Sequence, residues 1–325
     1  MSPNLILAPL RGITEVEFRN IFVRFFPGFD RAVAPFISTF QGSKVKPAKF
    51  KDLLPENNTS LPVVPQILSK NADRFLATTA MLADLGYTTV NWNLGCPYPM
   101  VANKLRGSGL LPHPEMIESF LEKVCSQPLA VSVKIRLGRR EAEEIYALLP
   151  IFNKFPLAEV IIHPRTGIQM YDGTVDLDTF GRCLELCRHP LVYNGDITSP
   201  AIYEKLAARF PTINSWMIGR GALANPFLPA QIKGCKLPDN PLRTLSDFHD
   251  ALLTCYRDML SGPSPVLGRL KGLWFYLAGS FADGRKILKK IQKTKKIEPY
   301  LEITREVFNH GSWQPEAGEE NPWKP

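Results

Sequence analysis

Several common frameworks are missing from this chain. Its six cysteines, at positions 96, 125, 183, 187, 235 and 255, form no CxxC pair and no spacing suited to zinc. Neither a disulfide scaffold nor a structural metal is therefore expected. Cys183 and Cys187 lie four apart on a predicted helix, where packing explains them. No apolar run approaches the roughly 20 residues that cross a bilayer. Leu5-Ile6-Leu7-Ala8 is too short, and lacks the basic flank, for a secretory signal. A reduced, cytoplasmic protein is the expectation. No G-x-G-x-x-G follows the first apolar segment, which argues against a dinucleotide-binding open sheet. Acidic residues are also scarce relative to basic ones, 31 against 39, leaving a net charge of +8. That balance favours a polyanionic partner, nucleic acid first, although ordinary surface charge gives the same total.

What the chain does have is alternation. Within 325 residues, enough for a large domain and a smaller one, eight short, mostly apolar segments read as strands. They are Leu5–Ala8, Arg31–Ala34, Val63–Ile67, Thr88–Asn93, Val131–Ile135, Glu159–His163, Leu191–Asn194 and Trp216–Ile218. Helical periodicity fills most of the gaps, as at Phe75–Leu85, Pro114–Val124, Glu141–Phe152 and Pro200–Phe210. Asn71, Asp73 and Ser199-Pro200 supply helix-entry chemistry. Strands alternating with helices predict a parallel sheet, and eight units fit a (β/α)8 TIM barrel of about 250 residues. A doubly wound open sheet is the alternative.

A barrel should collect its chemistry at strand C-terminal ends, and these strands do. Pro9 follows the first, Gln66 closes the third, and Asn93 and Cys96 close the fourth. Lys134 and Arg136 end the fifth, His163 and Arg165 the sixth, and Asn194-Gly195-Asp196 the seventh. Gly219-Arg220-Gly221 ends the eighth. Singly each has a dull explanation; a lone cysteine, for instance, is usually a small hydrophobe. Together they mark the rim as the active site. The glycines and Arg220 after the last two strands suit a phosphate held by backbone amides.

The pattern changes near Pro238. Residues 1–237 are expected to form the barrel, and 238–310 a smaller all-α domain with amphipathic Leu245–Leu260 and Leu267–Leu277. A tail at 311–325, rich in Pro, Glu and Gly, is expected to be disordered. Segment 284–296 sets Ile287, Leu288 and Ile291 against Arg285, Lys286, Lys289, Lys290, Lys293, Lys295 and Lys296. Such a run is often only a solvated face. Its one-sidedness in a basic chain favours a phosphate-backbone surface. Lys44, Lys46, Lys49 and Lys51 form a second cluster.

A phosphate pocket, a lysine, amides and a thiol at one barrel mouth suggest a bound flavin. Lysine near its N1/O2 edge stabilises the anionic reduced ring. Cys96, as a thiol with an ordinary pKa of about 8.5, is mostly protonated at neutral pH and suited to donate a proton. Activation of Cys96 as a nucleophile by His163, approaching in space, is the other possibility.

The ordered set of motifs resembles the tRNA-dihydrouridine synthase family over nearly all of residues 5–300. Its carriers are Ala8-Pro9-Leu10-Arg11-Gly12-Ile13-Thr14, Gln66, Asn93-Leu94-Gly95-Cys96-Pro97, Val101 and Gly107-Ser108-Gly109-Leu110-Leu111. Val133-Lys134-Ile135-Arg136, His163-Pro164-Arg165-Thr166, Asn194-Gly195-Asp196-Ile197 and Ile218-Gly219-Arg220-Gly221-Ala222-Leu223 complete it. Family members usually carry Met where Leu10 stands. The resemblance implies FMN as prosthetic group, NADPH as electron donor, and a uridine of folded tRNA as substrate, with Cys96 as the acid. It implies that Gln66, Lys134 and His163 contact the flavin, with Ala8, Pro9 and Leu10 beside its ring. Asn194, Gly195, Asp196, Gly219, Arg220 and Gly221 would surround the phosphate. Asn93, Arg136 and Arg165 would meet the uracil or its nucleotide, and Arg269, Lys271 and the 284–296 segment the RNA. The C-terminal half resembles the subclass acting on position 16 of the D-loop. A monomer is expected, since RNA would need much of the exterior. Two other readings stand at this point: an FMN barrel acting on a small molecule such as a free pyrimidine, and an RNA-binding protein whose activity has decayed.

Overall fold

In the computed structural model, residues 2–39, 47–126 and 129–315 are described. Every predicted strand segment contributes to one parallel sheet. In chain order the strands are β1 (Asn4–Leu7), β2 (Arg31–Val33), β3 (Ile37–Ser38), β4 (Val63–Val64), β5 (Gln66–Leu68) and β6 (Thr89–Leu94). They continue with β7 (Ala130–Gly138), β8 (Leu157–Thr166), β9 (Leu191–Tyr193) and β10 (Ser215–Ile218). The hydrogen-bonded order is β3-β5-β6-β7-β8-β9-β10-β1-β2-β4. Its two ends meet, because β3 continues the run of β2 and β5 that of β4. Pro65, which has no N–H to donate, divides β4 from β5; Ala34-Pro35-Phe36 divides β2 from β3. Counted by runs, the sheet is the expected (β/α)8 barrel, with β10 paired to β1.

The helices wrapping it are α1 (Val16–Phe25), α2 (Ala72–Asp84), α3 (Pro99–Ala102), α4 (Pro114–Val124), α5 (Ile145–Phe152) and α6 (Leu177–Leu186). α7 (Pro200–Arg209), α8 (Arg220–Ala224) and α9 (Leu228–Ile232) follow. Asn71, Asp176 and Ser199 cap α2, α6 and α7 by accepting from backbone N–H groups three residues on.

Period-two alternation sorts the strand residues. On β7 the buried Val131, Val133, Ile135 and Leu137 belong to the main core, while Ser132, Lys134 and Arg136 take the opposite, inner face. Ile6, Ala8, Val33, Ile161, Val192 and Met217 form a separate apolar cluster filling one side of the barrel interior. The side under β5, β6 and β7 is filled by polar residues instead, among them Gln66, Asn91, Asn93 and Ser132.

After residue 240 come α10 (Pro241–Met259), α11 (Pro263–Leu277), α12 (Gly284–Lys293) and α13 (Ile297–His310). Phe248 of α10 docks this block onto α1: its ring lies 5.9 Å from those of Phe18 and Phe22, 6.0 Å from Phe25 and 4.9 Å from Phe26. Arg269 pins α11 to the β1–α1 loop through Gly12 O and the Glu15 carboxylate.

Two expectations are corrected here. The helix expected to run to 296 stops at Lys293, because Lys271 Nζ bonds the carbonyls of Gln292 and Thr294 and ends the ladder there. The tail expected to be disordered from 311 is ordered to 315: Trp313 stacks edge-on to Phe227 at 5.2 Å and bridges Phe281. The rest of that tail, with Lys44, Lys46 and the side chain of Lys49, falls outside the described residues. Among the described residues no helix is long and apolar enough to cross a membrane, and no three His, Cys, Asp or Glu cluster to hold a metal.

Phe248 is fully buried against four other phenylalanines. Phe248→Ala should therefore lower the unfolding free energy by about 3–5 kcal/mol, read as a shifted urea midpoint at unchanged slope.

Candidate active site

The rim encloses a cavity of about 420 Å³, lined among others by Pro9, Leu10, Gln66, Asn93, Cys96, Lys134, Arg136, His163 and Arg220. Beneath it a pocket of about 70 Å³ is lined by Asn194, Gly195, Asp196, Thr198, Gly219, Arg220 and Gly221. Ala8 borders only the smaller space, and Pro9, Leu10, Lys134, His163 and Arg220 border both.

Cys96 is held by a line of amides. Its own N–H and that of Gly95 donate to Asn93 Oδ1, at 2.9 and 3.1 Å. Asn93 Nδ2 donates to Gln66 Oε1 at 2.7 Å, Gln66 Nε2 to Asn91 Oδ1 at 2.8 Å, and Asn91 Nδ2 to Ser132 Oγ at 2.9 Å. On the other side Cys96 O accepts from Ser108 N and Ser108 Oγ, at 3.0 and 3.1 Å. Gly107, at φ +54°, allows that approach, since a Cβ there would lie 2.7 Å from Cys96 O. Asn93, expected at the substrate, thus spends its oxygen and one N–H on positioning the thiol.

The surrounding charges are overwhelmingly positive. Arg136 donates to Gly95 O at 3.1 Å and Thr166 O at 2.7 Å. Burial first, then Arg136, pushes Lys134 down to about 7. Burial, helped by Arg136, Lys134, Arg165 and Arg220, holds His163 well below the ordinary histidine value, so its imidazole is neutral. A guanidinium can only donate, so the 3.2 Å contact of Arg165 Nη1 with His163 Nε2 leaves the ring proton on Nδ1. Burial also raises the Cys96 thiol above its usual value, against the pull of the Tyr98 backbone N–H and then of Arg136, Arg11 and Lys134. Cys96 at neutral pH is a thiol.

Arg165, expected near the substrate, is fully buried behind His163 and lines neither space. It donates to Asp196 and to the carbonyls of Asp172 and Gly173. Asp196, at φ +39°, also accepts from Arg220 at 2.6 Å. Its carboxylate therefore orients two arginines, and as an acceptor it offers nothing to a phosphate. The smaller pocket otherwise suits one, since Arg220 supplies charge and Gly195, Gly219 and Gly221 bring side-chain-free backbone to its wall; Gly221 is itself fixed by close packing on Ile197 O, where a Cβ would lie 2.0 Å away. Arg269 is committed to Gly12 and Glu15, and Lys271 to the end of α12. Arg285, Lys286, Lys289, Lys290 and Lys293 stand exposed, Lys286 paired with Asp283.

Tyr171 was not singled out from the sequence. It lines both spaces, with the guanidiniums of Arg220 and Arg136 4.8 and 5.3 Å from its ring centre. An aromatic residue in the loop after the sixth strand was the available signal. Phe275 and Tyr276, from α11, complete the cavity wall, and nothing in their helical periodicity points there.

Asp196 is the sole carboxylate paired with the buried Arg165 among the described residues. Asp196→Ala should cost about 3–5 kcal/mol, the usual penalty for leaving a buried charge unpaired, measured by urea unfolding. Arg165→Met in the same background should recover part of that loss.

Against known proteins, the family model described as Dihydrouridine synthase (Dus) matches residues 6–304. A probable tRNA-dihydrouridine synthase of Rhodobacter capsulatus is 29% identical over 268 residues, covering 80% of this chain and 81% of that protein. A tRNA-dihydrouridine(16) synthase of Vibrio parahaemolyticus is 26% identical over 314 residues, 92% of this chain and 94% of its own. Among solved structures, the old yellow enzyme from Trypanosoma cruzi superposes with a TM-score of 0.53 at 9% identity, covering 79% of this chain and 94% of that one. That likeness concerns the barrel fold. With the family model spanning the barrel and most of the helical block, the chain belongs to the dihydrouridine synthase family.

Proposed function

We propose that this protein reduces the C5=C6 bond of a uridine in the D-loop of tRNA to dihydrouridine, with FMN as prosthetic group and NADPH as electron donor. The observation that supports the reading is the adjacency of two spaces: a small pocket lined by glycines and Arg220 shares six lining residues with a cavity holding a protonated thiol among cations. Asn194, Gly195, Gly219, Arg220 and Gly221 would hold the FMN phosphate, and Gln66, Lys134 and His163 its ring. The chemistry that FMN would supply when bound there is hydride for C6 of the uracil, with NADPH as the source of its electrons.

This chain's own residues provide the rest. Cys96 Sγ holds the proton for C5, and the resulting thiolate is stabilised by Arg136 and Lys134 until solvent reprotonates it. Arg136 and Tyr171, both facing the cavity, orient the base. The amide line keeps Cys96 in place. A base reaches such a depth only when taken out of its stack, which single-stranded loops allow most easily. The exposed cations of α12 supply the phosphate-backbone contacts. Position 16 is the first candidate, since the relative named for it is matched along 92% of this chain.

The direct test is incubation of the purified protein with NADPH and unmodified tRNA, with dihydrouridine mapped by position. No dihydrouridine at any position would refute the reading. Cys96→Ala should keep the flavin spectrum and tRNA binding while slowing single turnover roughly 10²–10⁴-fold. The acid works only while protonated, and its folded pKa is raised. The loss that Cys96 itself causes should therefore come only above the ordinary thiol value of about 8.5, and any earlier decline, near pH 7, should follow deprotonation of Lys134 and vanish in Lys134→Arg.

Lys289→Glu with Lys290→Glu and Lys293→Glu should weaken tRNA binding and flatten its salt dependence. NADPH-driven bleaching of the flavin should stay unchanged. A filter-binding titration across salt concentrations measures the first and stopped-flow absorbance the second.

A further inference from the structure

We propose that Tyr98 and Met100 form a stacking platform for a nucleotide flanking the target uridine, and so help select which uridine enters. This rests on the reading of the cavity as the site of uracil reduction. Six large apolar side chains stand open among the described residues, and two of them, Tyr98 at 50% and Met100 at 70% exposure, line that cavity. Their exposure puts them at its lip, beyond Cys96.

The segment carrying them is firmly held. Tyr98 O accepts from the N–H groups of Val101 and Ala102, at 2.8 and 2.9 Å. Val101 and Ala102 are buried, and Cys96, two residues before Tyr98, is clamped by Ser108. A turn anchored on one side thus presents a ring and a thioether on the other. Tyrosine has few torsions to lose when a base covers it.

Guanidinium groups stand beside this face. Arg139 reaches Pro97 O at 3.5 Å and Ser108 Oγ at 3.3 Å. The exposed Arg11 lines the same cavity, 5.5 Å from the Phe36 ring. An aromatic and apolar face flanked by cations suits single-stranded nucleic acid, stacking for the base and charge for its phosphate. Extracting one base also strips a stacking partner from each neighbour, and the lip is where a neighbour would arrive. A nicotinamide reductant would have to pass deeper, to the ring of the flavin itself.

The test uses the full-length holoprotein with unmodified tRNA, reading dihydrouridine formation against tRNA concentration. The flavin spectrum checks that each variant is folded. Tyr98→Ala with Met100→Ala should raise the half-saturating tRNA concentration roughly tenfold, with the limiting rate changed less than about twofold. Tyr98→Phe, which keeps the ring, should restore wild-type half-saturation. Unchanged half-saturation in the double variant, with wild type active, would overturn the platform alone. So would a shift confined to the NADPH concentration dependence. Wild-type protein forming no dihydrouridine in any tRNA would overturn the platform together with the reading beneath it.

Discussion

The line of amides from Ser132 through Asn91, Gln66 and Asn93 to the backbone of Cys96 is the constraint on which the site depends. Buried amides are costly unless both their ends are paired, and here each side chain satisfies the next across three neighbouring strands. The line also fixes strand register. Slipping β6 by one residue against β7 would turn Asn91 and Asn93 outward and bring Val90, Trp92 and Leu94 into a polar interior. The arrangement that positions the thiol is therefore the arrangement that lets this half of the barrel close.

The cations above this floor are under-compensated. Lys134, Arg136, Arg165 and Arg220 converge near His163, and Asp196 is the carboxylate bonded to two of them. The excess charge explains the depressed Lys134 and the neutral His163 in the same terms: charged forms are penalised first by burial and then by one another. An anionic ligand relieves both penalties. A cluster of buried cations that is electrostatically unfavourable on its own favours negative charge beside it. The protein tolerates the cost because the apolar half of the barrel and the phenylalanine cluster around Phe248 carry the stability.

Much of this was legible in the sequence, for a specific reason. Strand ends in a (β/α)8 barrel converge in space whatever lies between them, so Cys96, Lys134, His163 and Arg220 could be grouped from order alone. What order does not give is direction within the group. Arg165 sits two residues after His163 and shares its inner face, yet it lies behind the imidazole, drawn there by Asp196 and two loop carbonyls. Arg269 and Lys271 read as RNA-facing cations, but tertiary partners hundreds of residues and some twenty residues away absorb them. The split at Pro65 was missed, since Val63–Ile67 reads as one strand, although a proline that cannot donate to the ladder was the signal for it. The one at Ala34-Pro35-Phe36 hid a two-residue strand too short to carry a period.

The helical block is more than an attached grip. α11 lends Phe275 and Tyr276 to the cavity wall, and the same helix is pinned by Arg269 to Gly12 and Glu15, in the loop that begins with Pro9 and Leu10. Cavity shape and block position are thus one constraint: moving the block without breaking the Arg269 bonds drags the β1–α1 loop along, and breaking them strands a half-buried guanidinium. Tyr98 and Met100, which line the same cavity, ride on a turn that follows Cys96 directly. The mouth is therefore built from both parts of the chain. On the proposed reading, selectivity for a nucleic-acid substrate is set there, at the lip, without disturbing the amides and cations around Cys96.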